Sequence, residues 1–247
     1  MNLVGETVGW LTAAAHWAGP DGIPMRLAEH IAVSTVSMLA AIALALPAGL
    51  WIGHTRRLIG LAVNIANVGR AIPTFALIGL IVPFTQAIDP GNGFILYPTV
   101  GAMIVLAIPP ILVNAYAGIS EVDAEVVEAA RGMGFRDIQV LREIEVPLAL
   151  PVVLGGIRSA SVQVIATVTL GASFGLGGLG RFIVDGIAQN DDGQLFGGVV
   201  LAAALATAGE VLFVILQRAT SRGPKAATRP RAFREPADLA RGGGLAG

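Results

Sequence analysis

The sequence predicts an all-α membrane protein with about five transmembrane helices. Of its 247 residues, 54% are hydrophobic and only 13% are charged, whereas a soluble domain averages roughly 25% charged residues. The apolar residues are also concentrated in long blocks, which a soluble core does not require. The third observation is that Lys and Arg are distributed very unevenly among the segments between these blocks.

Five blocks with at most one charged residue each are long enough to cross the membrane. A helix needs about 20 residues to span about 30 Å of hydrocarbon, and Pro and Gly are tolerated within such helices. The blocks predict spans near residues 31–53, 59–84, 95–116, 151–172 and 195–217. Residues 1–26 are expected to form an amphipathic or loosely ordered lead-in, because the start of the chain lacks the basic region of a secretory signal peptide.

The basic residues predict the orientation of the chain. Twelve of the 16 Lys and Arg residues lie after the first span, after the third span or in the tail, whereas only Arg26 and Arg181 lie on the opposite side. Since cytoplasmic loops carry the excess of Lys and Arg, the N-terminus is predicted outside the cell and the tail inside. The tail, residues 221–247, is rich in Gly, Ala, Pro and Arg, and it is predicted to be disordered and basic.

The loop between the third and fourth spans, residues 117–150, is too polar to cross the membrane. Ser120 and Asp123 resemble a capping box that opens a short helix, and the glycines at 132 and 134 are expected to end that helix. Its apolar face is predicted from residues at helical spacing, which are Val122, Val126, Ala129 or Ala130, and Met133.

A second short helix is predicted in the same loop. Asp137 is expected to cap it, Ile138, Leu141 and Ile144 lie on one side, and Pro147 is expected to end it before the fourth span. The loop is therefore predicted to contain two short helices joined at a glycine elbow.

Two further patterns lie within the spans. Small residues recur every four positions in the first span and allow another helix to approach closely, either within the chain, which we favour, or in a dimer: Ala41, Ala45, Gly49 and Gly53. Arg158 and Glu210 both lie about 10–12 Å from the cytoplasmic ends of their spans, which predicts an ion pair, with a proton or ion relay as the alternative. Arg70 lies near mid-depth, where it either lines the pathway or bonds to backbone carbonyls.

One segment of the polar loop resembles a known family. Glu128-Ala129-Ala130, then Gly134 after three residues, then Ile144-Glu145-Val146-Pro147 after nine more resemble the EAA motif of ABC import permeases, which ends in I-x-L-P. The one departure is Val146, where Leu is usual. Residues 28–216 further resemble the osmoprotectant permeases of this family, which transport glycine betaine, carnitine, choline or L-proline, in segments such as Ile72-Pro73-Thr74 and Gly177-Gly178-Leu179-Gly180.

The resemblance implies a type I ABC importer permease fold of the MetI-like kind at residues 27–220, in a bacterial cell membrane. It implies a second permease chain, an extracytoplasmic substrate-binding protein and a cytoplasmic ATP-binding subunit that holds ATP and Mg²⁺. The loop would contact that subunit through an apolar knob that includes Val127, unless the knob packs back onto the helix ends. The implied coupling residues are Val126, Glu128, Ala129, Ala130, Met133, Gly134, Phe135, Ile144 and Pro147.

Several other functions lack support in the sequence. There is no cysteine, the three histidines are scattered, and no set of catalytic residues is apparent, so neither a metal site nor a membrane-embedded enzyme is predicted. The sole lysine, Lys225, does not lie in a phosphate-binding loop. A glycine-rich match at residues 175–180 follows a span rather than a strand, and it is expected to be a flexible external loop. A secondary transporter and an importer of another small solute, such as an amino acid, remain alternatives; nucleic acid is not an expected partner.

Overall fold

The computed structural model describes residues 2–220, so the predicted disordered tail at 221–247 lies outside the described residues. The described part of the chain is helical and contains no strand. Its helices, with a short 3₁₀ turn at Ala14–Trp17 after the first, are α1 (Leu3–Thr12), α2 (Ile23–Thr55), α3 (Ile59–Ala71), α4 (Thr74–Ile88), α5 (Leu96–Ser120), α6 (Ala124–Gly132), α7 (Asp137–Phe174), α8 (Gly180–Gln189) and α9 (Asp192–Thr220).

Four helices are long and apolar enough to cross a membrane, namely α2, α5, α7 and α9. A fifth span is formed only if α3 and α4 are taken together, because the two helices are bent by 95°. The span predicted near residues 59–84 therefore consists of two helices in the structure. Pro73 has no N–H to donate and disfavours helical backbone in the residue before it, and Ile72 accordingly has extended backbone, with φ −79° and ψ 122°.

The relative directions of α2 and α5 show that the bent pair returns the chain across the membrane. A Cβ atom added to Gly49 would lie 2.6 Å from the Cβ of Ala115, and one added to Gly53 would lie 2.7 Å from the Cβ of Ile119. Residue numbers thus increase in the same direction along both helices, so α2 and α5 are parallel. Two parallel spans require a crossing between them, and α3 and α4 are the elements that lie between them in the chain. The count of about five spans follows.

The centre of the helix bundle is α5, which packs between α2 and α7. Met103 and Ile111 of α5 are fully buried, and Ala41 and Ala45 of α2 pack in the same apolar cluster. The small-residue stripe of the first span therefore serves packing within the chain, as favoured from the sequence. Side chains such as Leu39 of α2 are exposed and apolar on the outer surface, as expected where a span meets lipid.

The lead-in is an ordered helix rather than a loose segment. Trp10 of α1 is buried, stacks on His16 with ring centroids 4.5 Å apart and meets the ring of Phe182 edge-on at 5.1 Å. The close approach of α9 depends on Gly197, because a Cβ atom there would lie 2.4 Å from the Trp10 ring. The first span begins at Ile23, earlier than predicted, with Pro24 in its first turn, where the missing N–H costs no helical bond.

The glycine-rich segment after α7 is held in place by α2. The carboxylate of Glu29 accepts a hydrogen bond from the N–H of Gly178 at 2.8 Å, and Nδ1 of the buried His30 accepts one from the N–H of Leu179 at 3.3 Å. Nε2 of His30 therefore donates to the carbonyl oxygen of Ile165, at 2.8 Å. The expectation of a flexible loop does not match these contacts, since the sequence pattern does not reveal the two side chains that bond to the backbone.

Candidate functional site

The candidate site is the short helix α6 and its surroundings, at the end of the bundle where α2 and α5 finish. Asp123 is the N-cap of α6, and its carboxylate accepts a hydrogen bond from the N–H of Glu125 at 2.9 Å. The predicted capping box opened by Ser120 is wrong, because Ser120 is the last residue of α5. Only three residues therefore separate the end of α5 from the start of α6, and this short connection restricts the position of α6.

One face of α6 packs back onto the protein. Val127 and Ala130 are buried in a small apolar cluster with Val122 and with Val140 of α7, against which Phe135 and Ile144 also pack. Of the predicted apolar face, Val122 and Ala130 are buried, whereas Val126 and Met133 are exposed. Val127 and Ala130 face inward because they pack against Val122 and Val140. Of the predicted apolar knob, Val127 therefore packs onto the protein, whereas Val126 and Met133 are exposed.

The rest of α6 is exposed, and two large apolar side chains beside the buried face, one in the helix and one directly after it, are among the exposed residues. Met133 is 71% exposed and Val126 is 44% exposed. Glu128 and Ala129 are also exposed. Exposed apolar side chains bordered by charge, on a helix held rigidly from behind, are typical of a contact surface for another protein.

The turn after α6 depends on Gly134. Its φ is +90°, a value that side chains rarely allow. In this conformation the N–H of Gly134 bonds to the carbonyl oxygen of Arg131 at 2.9 Å, and the N–H of Phe135 bonds to that of Ala130 at 3.2 Å. These bonds satisfy carbonyl groups that the helix end would otherwise leave free. A Cβ atom at Gly134 would meet no atom within 4 Å, so glycine is required there for backbone conformation rather than for space.

The second predicted short helix is the start of the long helix α7. Its N-cap is Arg136, so Asp137 lies in the first turn and is not the cap as predicted. Pro147 also does not end the helix, which continues to Phe174. Residues Val140–Glu145 form a wider π-helical turn just before this proline, and a wider turn accommodates a residue that cannot donate the regular helical hydrogen bond.

A polar cleft of about 560 Å³ separates α6 from the end of α2. Arg131 pairs with Asp137 at 3.3 Å on its rim. At its inner end Nδ1 of His54 lies 2.5 Å from Oε2 of Glu145. Sequence reasoning missed the pairing of His54 with Glu145. The available signal was a carboxylate placed only two residues before the proline that begins the apolar block of the fourth span. The full lining is His54, Thr55, Arg56, Arg57, Ala124, Val127, Glu128, Arg131, Asp137 and Glu145.

The charged residues within the spans occupy a separate place. Arg158 of α7 and Glu210 of α9 form the predicted ion pair, and Arg158 also donates to the side-chain oxygen of Gln217 at 3.2 Å. Gln217 in turn donates to the carbonyl oxygen of Pro151 at 2.9 Å. Sequence reasoning missed Gln217, although it lies two helical turns after Glu210 on the same face. Arg70 lies in α3, away from the EAA segment in the chain, and its side chain is outside what the structure describes.

The site favours binding over catalysis. Within residues 2–220, no group of three or more His, Asp or Glu side chains is arranged to hold a metal ion. The arrangement instead offers a rigid exposed helix, a cleft lined by both signs of charge and a direct connection from that helix into the spans. These features are compatible with a surface that contacts another protein.

Comparison with known proteins identifies this arrangement. Residues 35–225 match the family described as "Binding-protein-dependent transport system inner membrane component". The chain is 34% identical over 191 residues to the carnitine transport permease protein OpuCD of Listeria monocytogenes serotype 1/2a, covering 77% of this chain and 82% of the relative. It is 33% identical over 178 residues to the osmoprotectant import permease protein OsmW of Salmonella typhimurium, covering 72% of this chain and 82% of that protein.

The fold also has solved counterparts. A chain of the MetNI methionine ABC transporter, in an inward-facing conformation, superposes with a TM-score of 0.71 and 24% identity, over 81% of this chain and 96% of that chain. This likeness confirms the MetI-like permease fold, and the sequence matches confirm the resemblance read from the EAA segment. The family match covers most of the chain and includes the whole of α6 and every span except the first part of α2. This multi-pass membrane protein therefore belongs to the family of inner membrane components of binding-protein-dependent transport systems.

Proposed function

We propose that this chain is the permease subunit of an ATP-driven importer of compatible solutes of the glycine betaine, carnitine and choline type. The relatives named above transport carnitine or osmoprotectants by their printed names, and a choline transport permease of Bacillus subtilis is 28% identical over 190 residues. Between 82% and 84% of the length of each relative is covered, so the likeness extends to the spans and is not limited to the EAA segment.

The single observation that carries the proposal is the exposed face of α6. Met133 and Val126 project from a helix whose other face is fixed by Val127 and Ala130. We propose that this face docks a separate cytoplasmic ATP-binding subunit, together with the other residues of the EAA segment. ATP and Mg²⁺ would bind to that subunit, and this chain would act as a transport subunit with no cofactor of its own.

The other proposed partners follow from the family. They are a second permease chain, identical or different, and an extracytoplasmic binding protein that delivers the solute. The end of the bundle that carries α6 is proposed to be cytoplasmic, with the N-terminus outside, because twelve of the 16 Lys and Arg residues lie on that side or in the tail. The protein would then lie in a bacterial inner or plasma membrane.

The Arg158–Glu210 pair is consistent with transport of a net-neutral solute. Arg158 and Glu210 neutralise each other at 2.7 Å, so this pair leaves no net charge that would favour an anion or a cation. A zwitterion such as glycine betaine or carnitine needs no countercharge to cross such a region. The competing assignment is an importer of another small solute, such as an amino acid, and the fold likeness to a methionine transporter is the observation that favours it.

Reconstituted transport distinguishes these assignments. The chain would be placed in proteoliposomes with its ATP-binding subunit and binding protein, and uptake of labelled glycine betaine, carnitine and methionine would be compared with and without ATP. ATP-dependent uptake of the first two alone is the expected result. Uptake of methionine alone would replace the solute class, and uptake driven by an ion gradient without ATP would replace the importer assignment with a secondary transporter.

Docking can be tested separately by copurification. Met133→Gln, at a side chain that is 71% exposed, should abolish copurification of the ATP-binding subunit without reducing the yield of the membrane protein. Ile187→Gln is the matched control, because Ile187 is 61% exposed on α8 at the opposite end of the bundle. Equal recovery of the ATP-binding subunit with both variants would contradict docking at α6.

A further inference from the structure

The end of α2 and the start of α7 are joined by one buried polar contact, which is the His54–Glu145 pair. Nδ1 of His54 donates to Oε2 of Glu145 at 2.5 Å, and the two side chains are 13% and 6% exposed. Among the residues that the structure describes, Glu145 is the only buried carboxylate. A carboxylate is not removed from water without a partner, so this contact is a specific feature of the site.

Glu145 belongs to the π-helical turn Val140–Glu145, and this turn touches three different parts of the protein. Val140 is fully buried against Val127 and Ala130 of α6. Leu141, next in the chain, packs against a second cluster that includes Ile119 of α5. Glu145 reaches α2 through His54. The turn therefore links the exposed helix α6 to two spans, and π-helical turns occur frequently at functional positions.

The end of α2 is held firmly enough to respond to such a contact. Gly53, the residue before His54, lies directly against α5, since an added Cβ atom would come within 2.8 Å of the carbonyl oxygen of Tyr116. Two residues after His54, Arg56 adopts left-handed backbone with φ 53° and ends the helix. His54 is thus placed on the last turn of a span that packs tightly along α5, and any shift of Glu145 acts on that turn.

We propose that the His54–Glu145 pair is a positioning contact through which displacement of α6 reaches α2, so that the pair couples ATP hydrolysis on the partner to movement of the spans. This inference rests on the proposed docking of an ATP-binding subunit at α6. Neither residue touches solute or nucleotide. The path runs from α6 through Val140 to the π-helical turn, and from Glu145 through His54 to the first span. A hydrogen bond between two groups that can both be charged is stronger than a neutral one and constrains geometry closely.

The test uses the complete transporter in proteoliposomes and measures solute uptake per ATP hydrolysed. His54→Ala should leave the ATP-binding subunit bound and hydrolysing ATP, while the ratio of uptake to hydrolysis falls about tenfold, in line with losing a hydrogen bond to a charged group. His54→Gln keeps a side-chain N–H donor and should restore the ratio to within about threefold of the parent protein. The double variant His54→Ala/Glu145→Ala should be no worse than either single alanine variant, because the two residues act as one unit.

His16→Gln is the matched control, since His16 is also partly buried and its Nδ1 bonds to the carbonyl oxygen of Trp10 at the opposite end of the molecule; it should leave the ratio unchanged. An unchanged ratio in both single alanine variants would overturn the proposal, and so would additive losses in the double variant. Loss of the bound ATP-binding subunit would instead assign the pair to docking and overturn the coupling role. If an alanine variant does not fold, the ratios of uptake to hydrolysis in His54→Gln and Glu145→Gln are compared instead. A parent-like ratio in one of these variants and complete loss of uptake in the other would contradict a hydrogen bond shared by the two residues. A parent complex without ATP-dependent uptake would remove the proposed function itself, and this inference with it.

Discussion

Arg158 of α7 and Glu210 of α9 form an ion pair, with Nη2 of the arginine and Oε1 of the glutamate 2.7 Å apart. Each side chain is about one third exposed in the isolated chain, at 35% and 37%. Pro151 and Gln217, joined by a further hydrogen bond, lie nearer the same end of the two helices. The two spans are therefore antiparallel, and a ladder of polar contacts joins them.

Removing one member of this pair should destabilise the protein. Glu210→Ala leaves Arg158 without its countercharge among apolar spans, and we expect a loss of about 0.5–2 kcal/mol, the range found for polar contacts between membrane helices. The exchanged variant Arg158→Glu/Glu210→Arg should recover part of the loss. Thermal unfolding in detergent and the yield of monodisperse protein would measure both. Parent-like stability of both single variants would show that the pair is dispensable.

Of the two glycines that end α6, Gly134 should tolerate substitution less well than Gly132. Gly134→Ala places a side chain at φ +90°, and left-handed backbone costs a residue with a side chain roughly 1–2 kcal/mol. Gly132→Ala is the matched control, because Gly132 is helical and an added Cβ atom would meet nothing within 4 Å. We expect Gly134→Ala, but not Gly132→Ala, to lower uptake, with the membrane protein still inserted. Equal uptake by the two variants would contradict a conformational role for Gly134.

Substitution of Gly49 should disrupt the contact between α2 and α5. An added Cβ atom would lie 2.8 Å from the backbone carbonyl oxygen of Leu112, which cannot move aside without shifting α5. Gly49→Ala is therefore expected to cost about 1–3 kcal/mol, as overpacking does in other cores. At Gly60 of α3 an added Cβ atom would meet nothing within 4 Å, so Gly60→Ala should be neutral. The midpoints of thermal unfolding of the two variants would be compared. Equal midpoints would show that α2 and α5 can move apart at Gly49 without loss of stability.

The direction of the chain can be tested with reporter fusions. Fusions after residue 57 and after residue 130 should report the cytoplasm, and a fusion after residue 90 should report the outside, because α3 and α4 together return the chain across the membrane. The parallel packing of α2 and α5 requires this result. If the fusions after residues 57 and 90 reported the same side, α3 and α4 would turn back within the membrane instead of crossing it.

Asp89, which follows α4, should titrate at unusually low pH. The side chain of Asn92 donates to its carboxylate at 3.1 Å, and this bond, together with backbone N–H groups of Asn92 and Gly91, lowers the pKa of Asp89. Because the folded pKa lies below the unfolded one, the bonds favour the folded loop above the unfolded pKa, and that contribution is lost as the pH falls through the folded pKa. Asn92→Ala should raise the pKa of Asp89, which carbon-13 NMR of labelled aspartate would measure. The same titration midpoint in both proteins would exclude the Asn92 contact as the main cause.

Much of the fold can be predicted from single residues and short spacings in the sequence. The scarcity of charge identifies the spans, since lipid excludes charge from any block long enough to cross it. Glu128, Gly134 and Pro147 occur at spacings that identify the EAA segment without any coordinates. Arg158 and Glu210 were paired from the sequence alone, because a charge that lies deep in a span needs a partner at the same depth.

Only the tertiary structure decided how the helices are rotated and which side chains meet. The apolar pattern of α6 does not decide between Val126 and Val127, and packing against Val122 and Val140 is what buries Val127. Pro73 was visible as a residue, but its 95° bend and the parallel course of α2 and α5 depend on packing. His54 and Glu145 are 91 residues apart in the chain. Lipid favours or disfavours each residue according to its polarity and its depth in the membrane, and both can be estimated from the sequence. A contact between two helices depends on their relative rotation and tilt, which are set by the packing of the whole bundle.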